Sequence, residues 1–240
     1  MKQLHFRDTF RPRHMKDLTE KERKEMLESH MFLKQKRDGN VKGRHVAGGN
    51  KQRDFISKED VSSPTVSTEA VMLTCVVDAE EDRDVATIDI PNAFIQTRVE
   101  NEEDMVTIRV RGILVDVLLG IAPEVYGPYV ITGKKGNQSL ILTCMNVIYG
   151  TMVASLLYYK KFCKSLIACG FKLNPYDPCV ANQMVNGRQQ TVCWHVDDCK
   201  ISHVDTKVND DLIKILKEEY ESIFEDGSGK MTVNRGKVHK

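Results

Sequence analysis

The run Thr191-Val-Cys-Trp-His-Val-Asp-Asp-Cys-Lys-Ile-Ser-His203 sets two adjacent carboxylates inside an otherwise apolar, strand-like stretch. Asp has poor strand propensity, and an unpaired carboxylate facing a packed core costs several kcal/mol. A chain that keeps such a pair must put it at a solvated turn or bring it to a cation. Either choice fixes much of what surrounds it.

The flanking residues argue for a turn. CVANQMV and RQQTVCWHV lie on either side of Asn186-Gly187, a strong hairpin signal, and CKISHV leaves the acidic pair as a further strand. Two successive hairpins therefore put Asp197 and Asp198 at a tight turn between antiparallel strands. A third carboxylate, Asp89, sits at the end of VATIDI, expected as a short buried strand over residues 85–90 that Pro91 terminates, because proline has no N–H to give a ladder. If neighbouring strands carry Asp89, Asp197 and Asp198, their oxygens converge above one sheet. Hard oxygen ligands of this kind select Mg²⁺ over Zn²⁺. Two such ions about 3.5 to 4 Å apart stabilise the attacking and leaving oxygens of an in-line phosphoryl displacement. An Asp-Asp turn is also an ordinary solvated turn, so the stretch alone leaves both readings open. A rival uses the same residues. Cys193, His195, Cys199 and His203 are all Zn²⁺-binding types, although Cys-x-His-x3-Cys-x3-His misses the usual ligand spacings.

Elsewhere Thr19 and Glu22 form a capping box that starts a helix expected over residues 20–30. MFLKQKR and VKGRHVA flank Asp38-Gly39-Asn40 and read as a hairpin, with Lys34 and Lys36 on one face of its first strand and Lys42 and Arg44 on one face of its second. That basic ribbon suits phosphate contact or protection of an exposed edge. A helix is expected over residues 68–81, with Ala70, Leu73 and Val77 on one side. MVTIRVRGILVDVLL, PYVIT and SLILTC read as strand-like pieces among turns. Met152, Leu156, Tyr159, Cys163 and Leu166 step at helical spacing, with Gly170 as C-cap. Asp205 caps a last helix carrying Val208, Leu212, Ile215, Ile223 and Phe224 up to the Gly227-Ser228-Gly229 break. Hairpins in succession beside helices indicate an α+β fold with an antiparallel sheet.

Several classes are excluded or made unattractive. No run of 18 apolar residues offers a membrane span, and the basic N-terminus lacks the apolar core of a secretory signal, so an intracellular setting, cytoplasmic or nuclear, and no membrane partner are expected. The seven cysteines are odd in number and contain no Cys-x-x-Cys, which reads as reduced thiols. Gly43 to Gly48 lacks the Lys-Ser/Thr of a P-loop, and no Gly-x-Ser-x-Gly elbow occurs. A net charge of +1 hides an asymmetry: residues 1–53 carry 15 Lys and Arg against 7 Asp and Glu, and the rest carry 20 against 27. One part is suited to a polyanion and the other to cations.

With the three carboxylates in hand, four blocks in order resemble the reverse transcriptase domain of copia-type long-terminal-repeat retrotransposons. KGRHVAGGNKQ (42–52) is similar to the fingers block. TIDIPNAFIQ (87–96) is similar to the block carrying the first catalytic Asp. VIYGTMVASLLYYKK (147–161) is similar to the Leu-Tyr-Gly block, and NPYDPCV (174–180) followed by HVDD (195–198) to the Asp-Pro-Cys and Tyr-Val-Asp-Asp blocks.

The resemblance implies a right-hand polymerase with fingers and an antiparallel palm sheet. By position, residues 1–85 would be an N-terminal extension and fingers, 86–100 palm, 101–145 a fingers insertion and 146–240 palm. It implies an RNA-directed DNA polymerase acting on deoxynucleoside triphosphates and an RNA or DNA primer-template. Asp89, Asp197 and Asp198 would be the catalytic and metal-binding residues, Asp89 and Asp197 holding two Mg²⁺, with Mn²⁺ as the alternative, and Asp198 completing the acidic cluster. Lys42 and Arg44 would bind the triphosphate, Phe94 would crowd a ribose 2′-OH, and Gly150 would admit the nascent base pair. His195 stands where the family has Tyr, and Thr151 to Ser155 replace the Gln and Arg that many relatives carry after Tyr-Gly, which puts primer and template contacts in question. Relatives continue into a thumb-like connection and an RNase H domain, so a fragment lacking both is expected. Two further expectations stand beside this one: an inactive remnant that only binds nucleic acid, as counterion release permits, and a Zn-binding hairpin module.

Overall fold

The computed structural model describes residues 1–35, 37, 39, 41–57, 59–224 and 228–239. In chain order the elements are α1 (Lys2–Phe6), β1 (Phe10–Arg13), α2 (Glu20–Glu25), β2 (Leu27–Gln35), β3 (Val41–Ala47), α3 (Thr68–Glu80), β4 (Asp84–Asp89), β5 (Val106–Arg111), α4 (Ile113–Ile121) and α5 (Pro123–Tyr126). They continue with β6 (Ile131–Thr132), β7 (Gln138–Cys144), α6 (Ala154–Ala168), β8 (Lys172–Leu173), β9 (Val180–Val185), β10 (Arg188–His195), β11 (Asp198–His203), α7 (Thr206–Tyr220) and β12 (Thr232–Gly236). The fold is α+β with two sheets. Two interleaved units share the chain: residues 1–62 with 94–157, and 63–93 with 158–240. The divisions fall after 62, 93 and 157, where the sequence reading drew 85, 100 and 145.

The first unit holds a sheet ordered β1-β7-β5-β2-β3, with β6 added on β7. Its pairs are antiparallel except β2 with β5, where Leu27 meets Ile108. Leu27, Ile108, Val110, Leu140 and Leu142 form its core with Val115 and Leu118 of α4. The helix expected over 20–30 is shorter. Its capping box closes through Thr19 and Glu22, but Met26 is extended and residues from Leu27 onward join β2, because pairing with β3 and β5 outweighs local helix propensity. The expected strand-like run MVTIRVRGILVDVLL is also divided. Gly112, at φ +56°, ends β5, and ILVDVLLGI is a helix that buries Val115 and Leu118.

The second unit holds a sheet ordered β12-β4-β11-β10-β9-β8, antiparallel throughout. Asn186 and Gly187 both have positive φ and close β9 on β10, as a two-residue hairpin turn requires. Trp194 is 2% exposed and meets Phe162 of α6 edge to face at 5.4 Å, and Phe162 in turn meets Tyr220 of α7 at 6.1 Å. The helix expected from Met152 starts at Ala154, and its buried face includes Tyr158 and Phe162 beside the expected Cys163 and Leu166. In α7, Asp205 caps as expected by accepting from the Lys207 N–H at 2.9 Å. The helix stops at Tyr220, so Ile223 and Phe224 lie beyond it, and Ile215 is 44% exposed.

The apolar side expected for α3 is only partly inward, with Ala70 and Val77 half-buried. Leu73 is 65% exposed, and the buried residue of this helix is Asp78 at 1%. Lys200 and Arg83 neutralise that carboxylate, so charge rather than apolar area faces inward. Lys36 of the expected basic face, Asp38 and Asn40 of the first turn and Gly227 of the last break lie outside the described residues.

Candidate active site

Strand register brings two of the three carboxylates together. Asp198, first residue of β11, is the direct cross-strand partner of Asp89, last residue of β4, so both side chains leave the same face of the sheet. Val196 and Asp197 form the two-residue turn between β10 and β11, with His195 paired to Asp198 across its base. The Asp197 carbonyl accepts the Ile90 N–H at 3.0 Å, tying the turn to the end of β4. Val196 has φ +57°, a left-handed conformation that a β-branched side chain rarely adopts and that costs on the order of 1–3 kcal/mol. The expected tight turn is present, and its strain is concentrated at the residue before the acidic pair.

The side chains differ in solvation. Asp89 and Asp198 are exposed and Asp197 is half-buried. All three act on the buried Cys199 thiol, whose pKa is pushed well up by burial first and then by Asp197, Asp198, Cys193 and Asp89. Burial foremost, with Asp197 contributing, likewise holds the Tyr158 phenol protonated. A cavity of about 340 Å³ opens beside the pair, with Thr87, Asp89, Asp198, Lys200 and Asn234 among its polar lining and Val66 and Val71 on its apolar side.

Mg²⁺ is commonly held by one or two carboxylates together with substrate phosphate oxygens rather than by an all-protein cage, and two strand-end carboxylates are of that kind. Among the described residues no three His, Cys, Asp or Glu side chains are grouped to hold a metal by themselves. The zinc hairpin fails on strand alternation. Cys193 and His195 share a face with Lys200 and Asp198, whereas Cys199 pairs with Trp194 and, with His203, points to the opposite face.

The candidate substrate residues lie in the first unit, where three of four meet. The Arg44 guanidinium lies 6.0 Å from the centre of the Tyr149 ring, and that ring is 5.0 Å from Phe94. Tyr149 is fixed by its backbone, since its carbonyl accepts the Ala47 N–H at 2.8 Å. Gly150, at φ +89°, lies so close to β3 that a Cβ would stand 2.2 Å from the Ala47 carbonyl oxygen, and a Cβ on Gly49 would stand 1.9 Å from the Gly150 oxygen. Gln52, 4% exposed, accepts the Met152 N–H at 2.9 Å. KGRHVAGGNKQ and VIYGTM, a hundred residues apart, therefore form one piece of structure. Lys42 is exposed on the same hairpin face as Arg44 and directly opposite Lys34. Tyr149 and Gln52 were missed as organising residues, although both lie inside the recognised blocks.

Asp177, in the Asp-Pro-Cys block, is a second structural carboxylate. Burial raises its pKa, but hydrogen bonds from the Ser67 N–H and hydroxyl and the Cys179 N–H outweigh it and hold the group low. Ser67 in turn caps α3 through the Ala70 N–H at 3.1 Å.

No protein-family model matches the chain. Among solved structures it is similar to telomerase from Candida albicans in complex with the TWJ fragment of telomeric RNA, with 12% identity, a TM-score of 0.42 and coverage of 97% of this chain and 46% of that one. It is also similar to apo telomerase from Candida tropicalis, with 10% identity, a TM-score of 0.45 and coverage of 98% and 48%. The chain thus spans under half the length of either structure. Likeness at TM-scores below 0.5 settles neither fold family nor chemistry, and the functional reading rests on the chain's own residues.

Proposed function

We propose that this chain is an RNA-directed DNA polymerase domain of the copia retrotransposon type, with the first unit as fingers and the second as palm. The observation that carries the reading is the register that sets Asp89 beside Asp198 at the mouth of a strained hairpin turn. Strand-end carboxylates in an α+β sheet suit an in-line phosphoryl displacement better than a structural role, because neither contributes to a core and one follows a backbone conformation that costs stability.

In this reading Asp89 and Asp198, which register sets side by side, would hold Mg²⁺, or Mn²⁺, and Asp197, the partner of Asp89 expected from the sequence, would complete the acidic set. The bound ions supply charge stabilisation for the primer 3′-oxygen and for the departing pyrophosphate. Lys42 and Arg44 bind the triphosphate of the incoming deoxynucleotide. Tyr149 meets both the Arg44 head and the Phe94 ring, the two rings tilted by 50°, and Phe94 crowds a ribose 2′-OH. Gly150, whose close packing on Ala47 admits no side chain, sets the backbone beside Tyr149 where the nascent pair would lie.

A primer-extension assay on poly(rA) with oligo(dT), dTTP and Mg²⁺ tests the reading. Extension by the wild-type chain that is lost in Asp89→Ala and in Asp197→Asn/Asp198→Asn supports it. A folded wild-type chain that binds the duplex without extending it favours the second reading, nucleic-acid binding alone. The exposed cationic face formed by Lys34, Lys42 and Arg44 would carry that binding without any help from the carboxylates.

A further inference from the structure

A buried charge on a helix calls for a physical reason, and Asp78 has one that involves the acidic pair. Its helix, α3, is anchored at its start by Ser67 on Asp177. At the other end the Asp78 carboxylate receives the Lys200 ammonium, and Arg83, 1% exposed, stands 3.9 Å from its second oxygen while donating to Thr191 at 3.1 Å. Lys200 is the one lysine or arginine in the described lining of the 340 Å³ cavity that also receives Asp89 and Asp198. It lies two residues after Asp198 on the same face of β11, and its cross-strand partner Thr87 lies two residues before Asp89. Two residues of strand span roughly 6.6 Å, about the length of an extended lysine side chain. A released ammonium therefore reaches the acidic pair.

We infer that Asp78 is a positioning residue that holds the Lys200 ammonium away from Asp89 and Asp198 and so keeps the pair open to a divalent cation. The inference rests on the metal reading above and adds to it the residue that prevents an internal cation from occupying the site. Lys200 is held with its head near the Cys75 sulfur, at 3.8 Å, rather than over the carboxylates. Arg83 cannot take its place, because its guanidinium is engaged by Thr191 and Glu81.

Mn²⁺ binding, read from the loss of the free-ion paramagnetic resonance signal during titration, tests this without any need for turnover. The wild-type chain, Asp78→Asn, Lys200→Met and the double variant are compared, with a thermal melt for each. Asp78→Asn is expected to bind Mn²⁺ about tenfold or more weakly, the scale set by one unit charge brought near the pair at protein-surface screening. The double variant is expected to regain wild-type affinity, and Lys200→Met alone to bind at least as tightly as wild type. Unshifted binding in Asp78→Asn overturns the inference, and so does a double variant as weak as the single, since that result assigns Asp78 a merely structural role. If Asp78→Asn does not fold, Asp78→Leu/Lys200→Met replaces the buried pair by apolar groups, and a folded product that fails to bind overturns the inference equally. A wild-type chain that binds no Mn²⁺ overturns the metal reading and the inference together, whereas normal wild-type binding isolates the failure to Asp78.

Discussion

The two hairpins of this molecule handle charge in opposite ways. In β2–β3 the cationic side chains stand in water: Lys34 and Lys42 face each other, Phe32 is 62% exposed, and only the inner end is buried, at His45 and Ala47. In β10–β11 the strands are core, with Val192 and Ile201 fully buried and Trp194 beside them on the same face; the acidic pair sits at the turn and its base, and Lys200, further along β11, is paired with the buried Asp78. An exposed cationic surface tolerates charge at little cost because each head remains hydrated. Carboxylates placed at the end of buried strands need backbone precision instead, and Val196 carries the resulting strain.

The largest effect expected from this contrast comes from large-to-small substitution in each hairpin. Trp194→Ala removes a ring packed on Phe162 and should destabilise by about 3–5 kcal/mol, whereas Phe32→Ala should stay within about 0.5 kcal/mol. Urea unfolding of both variants measures the difference, and equal losses would break the comparison.

Next in size is a pH effect at the inner end of β2–β3. His45 is 6% exposed, neither ring nitrogen has a hydrogen-bond partner among the described residues, and its pKa is lowered to about 4 by burial, with smaller contributions from the N-terminal amine and His30. Above pH 6.5 neither state holds a proton there, so the contribution is constant. As pH falls from 6.5 towards 4, the unfolded chain takes up a proton that the folded chain refuses, and stability drops by an amount on the order of 3 kcal/mol. His45→Leu should abolish this dependence and raise stability at pH 5, since it also removes two unpaired polar atoms. Unfolding free energies at pH 7.5 and 5 settle it, and an identical pH slope in wild type and variant counts against the buried neutral imidazole.

What could be read from the sequence follows the same division. The capping box at Thr19, the Asn186-Gly187 turn, the cap at Asp205 and the end of β4 at Asp89 are local signals, decided by residues within a few positions of each other, and all are present. The juxtaposition of Asp89 and Asp198 was inferred only conditionally, because it depends on β4 and β11 being neighbours. The apolar side of α3 is buried only in part for a related reason. Periodicity assumes that charge faces water, and although Arg83 is five residues from Asp78, nothing in the sequence announces that the distant Lys200 will meet it. The helix at residues 113–121 was misread because an apolar, β-branched run fits strand or helix equally until packing decides. The cluster of Arg44, Tyr149 and Phe94 joins three separate stretches of chain and had no local signal at all.

The turn itself gives a smaller effect with a diagnostic sign. Val196→Gly relieves a positive φ worth about 1–3 kcal/mol but adds about 0.5–1 kcal/mol of unfolded-chain entropy, so a net stabilisation of about 1 kcal/mol is expected. If the polymerase reading holds, primer extension falls at the same time, because the freed backbone no longer fixes Asp197 and Asp198. Loss of both stability and extension would mean that the Val196 side chain packs rather than strains.

The smallest effect belongs to the surface hairpin. Lys34→Glu turns a like-charged cross-strand pair with Lys42 into an opposite one and should stabilise by only about 0.2–1 kcal/mol. Its consequence for a polyanion is the sharper measurement. If this face contacts phosphates, the substitution weakens primer-template binding similarly for all sequences and lowers the slope of log affinity against log salt by about one, the share of one phosphate contact. Asp89→Ala, in the other hairpin's sheet, should leave that slope unchanged. A salt slope that responds to the carboxylates and not to Lys34 would reverse the assignment of polyanion to one hairpin and cation to the other.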